Sequence, residues 1–139
     1  MALYSATYES LAKIDQQVRS AAIAAGLNDD DAYSVELAVD EACTNIIDHS
    51  YGGEGLGEIE CVCQTLSDGL KIIIFDSGCF FNPEGVPMPD VHQPLEKRSE
   101  GGLGLFFIHQ MMDEVIFDQC KGNGTSLTMI KRKSITKQV

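Results

Sequence analysis

Residues 38–49 read Ala-Val-Asp-Glu-Ala-Cys-Thr-Asn-Ile-Ile-Asp-His, within a helical pattern that runs from about Asp31 to about Ser50. Four polar residues share one face of this helix, at i, i+4, i+7 and i+8: Glu41, Asn45, Asp48 and His49. Five apolar residues supply the buried side: Val39, Ala42, Cys43, Ile46 and Ile47. A carboxylate one turn from a carboxamide can hold a general base next to a metal ligand. Taken alone, the same pattern also fits an ordinary exposed polar face.

The chain before this helix predicts a strand and another helix. Residues Leu3 to Tyr8 alternate loosely, as an edge strand would. From Glu9 onward, apolar residues recur on one helical face: Leu11, Ile14, Val18, Ala21 and Ala25. Gly26 is expected to end that helix, and residues 28–31 offer N-cap candidates for the next one.

Strands dominate the rest of the chain. Gly57 to Leu66 alternates, a turn follows at residues 67–69, and Leu70 to Phe75 is almost continuously apolar. A closing hairpin is predicted from Val115–Asp118 and Thr125–Ile130, joined by a turn at residues 121–124. Between these pairs, apolar spacing predicts a third helix after Gly104, carrying Leu105, Ile108, Met111 and Met112. The fold class is therefore α+β: a sandwich in which about three helices cover one face of a mixed, mostly antiparallel sheet.

Composition narrows the possible functions. The chain has 139 residues and a formal net charge of −11, which suits one domain over residues 1–139 and argues against binding nucleic acid. Its five cysteines are odd in number and contain no C-x-x-C, so we expect reduced thiols in a cytoplasmic protein. The N-terminus lacks the features of a signal peptide, and no apolar run is long enough to span a membrane.

Three further segments could bind a nucleotide. Asp76-Ser77-Gly78 follows a strand, where a carboxylate can accept from an exocyclic amine and a glycine lets the backbone approach a flat base. The segment 100–105 reads Glu-Gly-Gly-Leu-Gly-Leu, and glycines ahead of a helix can expose N–H groups to phosphate. Gly124-Thr125 lies in the last hairpin. Each of these segments, read alone, could equally be a turn or a plain loop.

All four prolines lie between residues 83 and 94. No helical or strand period extends from Asn82 to Glu100, and a structureless stretch of that length in a small domain is usually a functional loop, a lid or a disordered segment. Lys97 and Arg98 are its only cations.

The order and spacing of these segments resemble the N box and the three glycine boxes of the GHKL ATPases, whose Bergerat fold binds ATP under a mobile lid. Residues Ala38 to Asn45, with His49 and Tyr51 after them, look like the N box of the anti-sigma-factor serine kinases. Residues 100–108 and 112–115 look like the second glycine box and following strand of the same family. The resemblance covers nearly the whole chain.

The resemblance implies a role for each matching residue. Glu41 would be the general base that takes the proton of the substrate serine, and Asn45 would bind Mg²⁺. Asp76 would recognise the adenine amino group, with Gly78 beside the base and Thr125 assisting. The remaining ATP-binding positions would be Asp48, Gly101, Gly102, Leu103, Gly104 and Leu105, and the lid would span about 82–100. Within that lid, contact with the γ-phosphate is assigned to Lys97 and Arg98 by their charge and not by the resemblance.

The function implied is ATP- and Mg²⁺-dependent phosphorylation of a serine in a STAS-domain anti-sigma-factor antagonist. The resemblance also implies binding of a sigma factor and a homodimer, with no direct contact to nucleic acid or membrane. Two alternatives stay open. One is a nucleotide-regulated binding module without phosphotransfer. The other is the ATP-binding domain of a histidine kinase, which is less well supported because no phosphoacceptor hairpin precedes the pattern.

Overall fold

A computed structural model of the protein describes residues 2–76, 100–119 and 124–134. The N-terminal part contains strand β1 (Ala2–Ser5), helix α1 (Ser10–Ala24) and helix α2 (Asp29–Asn45), which continues as a π-helical turn, Ile46–Ser50. Strands β2 (Glu58–Leu66) and β3 (Gly69–Asp76) come next. Helix α3 (Glu100–Met111) and strands β4 (Glu114–Gln119) and β5 (Thr125–Arg132) follow.

The junction between α1 and α2 forms as the sequence predicted. Gly26, at φ 86°, ends α1, with its N–H donating to the Ile23 carbonyl and that of Leu27 to the Ala22 carbonyl. These two bonds make a Schellman motif, which satisfies carbonyls that the helix end leaves open. The Asn28 side chain then caps α2 by accepting from the Asp31 N–H at 2.8 Å.

The five described strands form one sheet in the order β1-β2-β3-β5-β4, with β1 at an edge as expected. All four ladders are antiparallel, so the mixed sheet of the sequence analysis becomes an antiparallel one in this part of the chain. The cause lies in the connections. Two helices between β1 and β2 bring the chain back to the end of the sheet where β1 finishes, and a tight turn at residues 67–68 reverses it between β2 and β3.

The helices cover one face of the sheet, as predicted. Within the layer α2 packs against both α1 and α3, and α1 lies on β2 and β3. Alternate strand residues face the helices and are fully or almost fully buried: Ile59, Cys61, Ile72, Ile74 and Met129. On the opposite face Leu3 and Ile116 are largely exposed. The apolar side of α2 forms as expected, because its five predicted core residues are all buried.

One helix boundary differs from the prediction. The third helix was expected after Gly104, but α3 begins at Glu100, so Gly101, Gly102 and Gly104 lie inside its first two turns. Glycine is a weak helix former, yet the apolar run that follows packs α3 against α2, and tertiary packing outweighs intrinsic propensity.

Candidate active site

The N box forms on the middle helix of the layer. Glu41 is half-buried and Asn45 is buried, one turn apart on the same side of α2. Asp48 and His49, by contrast, are exposed. The structure therefore brings Glu41 and Asn45 together in the arrangement that the i, i+4 spacing predicts.

The π-helical turn that follows Asn45 was not predicted. The Tyr51 N–H donates to the Ile46 carbonyl at 2.9 Å, which is the i to i+5 bond of a π-helix. This wider turn shifts Asp48 and His49 relative to the α-helical face that Glu41 and Asn45 share. Such turns occur frequently at functional sites.

Asp48 has a partner that sequence reasoning missed. The Tyr8 hydroxyl donates to Asp48 Oδ1, and the Tyr8 N–H donates to Glu54 Oε1 at 2.9 Å. The hydrogen bond to Asp48 raises the pKa of the Tyr8 phenol. The segment ahead of α1 is thereby tied to the end of the N-box helix. Tyrosine 40 residues upstream of an aspartate gives no local sequence signal, so only the fold reveals this contact.

The other half of the site lies in the sheet. Asp76 ends β3, and Thr125 begins β5 directly opposite it in the ladder. The Thr125 hydroxyl donates to Asp76 Oδ2 at 2.6 Å, and both residues are buried, at 7% and 4% exposure. A buried carboxylate in an otherwise apolar sheet requires hydrogen-bond donors, and Thr125 supplies one of them. This hydrogen bond joins two residues for which the resemblance implies roles in adenine recognition.

The glycine-rich stretch lies at the N-terminus of α3. The first N–H groups of an α-helix have no intrahelical acceptor, and among the described residues these are the N–H groups of residues 100–102. Helix α3 packs on α2, which also contacts β5, the strand that begins with Thr125. Gly78, Lys97 and Arg98, and the predicted lid up to residue 99, lie outside the described residues.

The cysteines show no metal site or disulfide in the part of the chain that the structure describes. Cys43, Cys61 and Cys63 are free thiols, as expected, and burial raises the pKa of Cys43. No group of three or more potential metal ligands occurs among these residues. None of the described helices is long and apolar enough to cross a membrane.

The chain is similar in sequence to known proteins. A family model described as the histidine kinase-like ATPase domain matches residues 4–131. Serine-protein kinase RsbW of Bacillus mycoides (strain KBAB4) is 39% identical over 90 residues, 62% of this chain and 56% of that protein. The protein of the same name from Bacillus cereus (strain ATCC 10987) is 37% identical over the same shares. The match thus spans little more than half the length of these relatives.

Two solved structures share the fold. The first contains the RsbU and RsbW domains of Rv1364c from Mycobacterium tuberculosis, with a TM-score of 0.60 and 15% identity over 98% of this chain and 35% of that one. The second is the histidine kinase domain of the blue-light activated histidine kinase EL346 from Erythrobacter litoralis. Its TM-score is 0.52, with 16% identity over 89% of this chain and 59% of that one. At 15% and 16% identity, the similarity of this chain to the two structures concerns the fold alone.

Proposed function

Because the chain belongs to the histidine kinase-like ATPase domain family, we propose that it is an ATP-dependent serine protein kinase of the anti-sigma-factor type. The observation that carries the proposal is the buried Asp76–Thr125 pair at the ends of adjacent strands, in a sheet whose covering helix α2 carries Glu41 and Asn45. The relatives named serine-protein kinase support the choice of serine as acceptor.

Nucleotide recognition would begin at Asp76. A carboxylate can only accept hydrogen bonds, so it suits the amino group of adenine and disfavours the oxygen that guanine presents in its place. The Thr125 hydroxyl occupies one oxygen of this carboxylate and fixes its orientation. Gly78 would lie against the base, and the N–H groups at the start of α3 would bind phosphate, which the positive end of a helix favours.

Phosphoryl transfer depends mainly on positioning and charge neutralisation. The α2 side chains present fit a Mg²⁺ ion, because a carboxamide oxygen is a ligand that this hard cation accepts. Asn45 would hold the ion, which supplies charge neutralisation at the phosphates. Glu41, one turn away on the same side of α2, would accept the proton of the substrate serine. Lys97 or Arg98 would contact the terminal phosphate, with the lid at about 82–100 closing over it.

The protein substrate would be a small STAS-domain antagonist of an anti-sigma factor, and the chain would also bind a sigma factor. We propose further that residues 1–139 act as one domain, in the cytoplasm and as a homodimer. The net charge of −11 supports a partner that presents a basic surface, and argues against direct binding to nucleic acid.

The direct test is phosphate transfer. The purified protein is incubated with Mg-ATP and each STAS-domain protein of its host in turn, and the products are analysed by mass spectrometry. A single phosphoserine on one STAS protein, absent when Mg²⁺ is chelated, is expected. ATP binding without transfer to any STAS protein would contradict the kinase and favour a nucleotide-regulated binding module.

A further inference from the structure

Two carboxyl groups face each other where α1 packs on α2. Asp15 lies on α1 and Asp40 on α2, both half-buried and close enough to share a hydrogen bond. The Oδ1 atom of each is buried from solvent and accepts no hydrogen bond from the described residues. Since ionised carboxylates only accept hydrogen bonds, two of them in contact cannot satisfy one another.

The surroundings do not neutralise this pair. Glu36 adds a third carboxylate from α2, and the Cys43 thiol also lies near both aspartates. Arg19 is the one cation that acts on Asp15 among the described residues. Its guanidinium, however, is held by Glu36 in a bidentate pair, with Nε–Oε2 and Nη2–Oε1 distances of 2.8 Å each. The charge of Arg19 is thus largely directed at Glu36.

We propose that Asp15 and Asp40 share one proton at neutral pH, forming a carboxylic acid–carboxylate hydrogen bond that fastens α1 to α2 directly before Glu41. The proton comes from solvent, and the protonated aspartate donates its O–H to the ionised one. This arrangement gives both buried oxygens a partner and removes one of two adjacent negative charges. The singly ionised pair has a lower free energy than two ionised carboxylates in contact, because it avoids the repulsion between like charges.

The shared proton makes the contact between the helices dependent on pH. Burial, followed by the hydrogen bond and charge of Asp40 and the charge of Glu36, raises the pKa of Asp15 to about 8. The native state therefore retains a proton that the unfolded chain releases near pH 4. The stability that this proton contributes is fully present at or below that lower pH and is lost as the pH rises toward about 8. A groove of about 370 Å³, lined in part by Asp15, Arg19 and Glu36, gives solvent access to the Asp15 side of the pair.

Loss of the proton has a defined structural consequence. Two facing negative charges would push α1 from α2 at Asp40, the residue before Glu41 on the same helix. Asp15 is therefore a positioning residue for α2, and this inference concerns the helix contact whether or not the chain transfers phosphate. Asp15→Asn is the informative substitution, since its amide can donate to Asp40 at every pH.

The test measures stability against pH for the full chain and three variants. Urea unfolding is followed from about pH 5 to about pH 9 for wild type, Asp15→Asn, Asp40→Asn and the control Asp118→Asn, whose carboxylate is exposed on β4. The folding constant of wild type and of the control should fall about tenfold or more across this range. Asp15→Asn should flatten the dependence of the folding constant on pH. Asp40→Asn should flatten it too, and this variant keeps the test decisive if Asp15→Asn does not fold. If the folding constants of Asp15→Asn and Asp40→Asn fall with pH as steeply as that of wild type, the proposal of a shared proton is wrong.

A second measurement reports on the contact itself. Hydrogen exchange of α1 and α2 peptides, corrected for its intrinsic pH dependence, should speed up between about pH 6 and about pH 9 in wild type and not in Asp15→Asn. Peptides of β4, which packs against β5 and α3, provide the internal reference. Identical exchange in the two proteins across this range would contradict the proposal.

Discussion

The Thr125 hydroxyl donates to Asp76 Oδ2 at 2.6 Å, which joins the first residue of β5 to the last residue of β3 inside the protein. The two residues are also direct partners in the backbone ladder. The hydroxyl therefore helps to hold the Asp76 carboxylate in one orientation. In our account this carboxylate is the acceptor for the amino group of adenine.

Replacing Asp76 by Asn should reduce discrimination between ATP and GTP. A carboxamide presents a donor as well as an acceptor, so it no longer disfavours the guanine oxygen. Losing a hydrogen bond to a charged group costs about 1.5–3 kcal/mol, or roughly ten- to a hundredfold in ATP affinity. Calorimetry with both nucleotides measures the effect, with Asp118→Asn on β4 as the control. Equal affinities of the wild type for ATP and GTP would rule out the assignment of Asp76.

Removing the Thr125 hydroxyl should weaken ATP binding without unfolding the protein. Thr125→Val keeps the shape of the side chain but leaves Asp76 short of a buried donor, which costs about 1–3 kcal/mol. Thr128→Val is a matched control, because Thr128 lies on the same strand but on the sheet face opposite the helices. Nucleotide affinity and urea unfolding are measured for both. If the two variants bind ATP equally well, Thr125 has no role in orienting Asp76.

Gly69 should tolerate no side chain. A Cβ atom at this position would lie 2.1 Å from the carbonyl oxygen of Lys131 and 2.8 Å from Cα of Arg132, both backbone atoms of β5. Gly69→Ala must therefore displace β5 from β3, and we expect a loss of about 1–3 kcal/mol in the free energy of unfolding. Ser67→Ala, in the same β2–β3 turn, should change stability by less than about 0.5 kcal/mol. Equal stability of the two variants would contradict this packing.

Asn45 provides a test of the metal site. Asn45→Ala should weaken nucleotide binding in the presence of Mg²⁺ and leave binding in its absence nearly unchanged, because the substitution removes a ligand of the ion and not of the base. The measurement is nucleotide affinity with and without Mg²⁺. A variant that keeps the full Mg²⁺ dependence of wild type would show that Asn45 is not a ligand.

Local patterns in the sequence predict much of this fold. Gly26 ends α1 and Asn28 caps α2, both as expected. These roles can be predicted because a positive φ and a side-chain cap involve only neighbouring residues. The apolar face of α2 likewise follows from its helical period. The resemblance implies that Asp76 and Thr125 both serve adenine recognition, but it did not predict their hydrogen bond, which joins residues 49 positions apart.

Other features depend on long-range packing and leave no local signal. The π-helical turn after Asn45 interrupts a segment whose sequence reads as one continuous α-helix. The start of α3 at Glu100 places three glycines in a helix against their propensity. The contacts of Tyr8 with Asp48 and of Asp15 with Asp40 require α1 and its preceding segment to lie against α2. No spacing within either segment indicates such contacts.

The central claim is that Glu41 acts as the base in phosphate transfer to a serine. Glu41→Gln keeps the size of the side chain and removes its charge, and general-base catalysis contributes about 10²–10⁴-fold, or roughly 3–5 kcal/mol of the barrier. Glu60→Gln is a matched control, because Glu60 is also half-buried but lies on the sheet face opposite the helices. The measurement is the rate of transfer to the purified STAS-domain antagonist, with nucleotide affinity determined in parallel. We expect Glu41→Gln to bind ATP as wild type does and to lose at least about 99% of the rate, while Glu60→Gln retains it. Transfer by Glu41→Gln at the wild-type rate would contradict the mechanism.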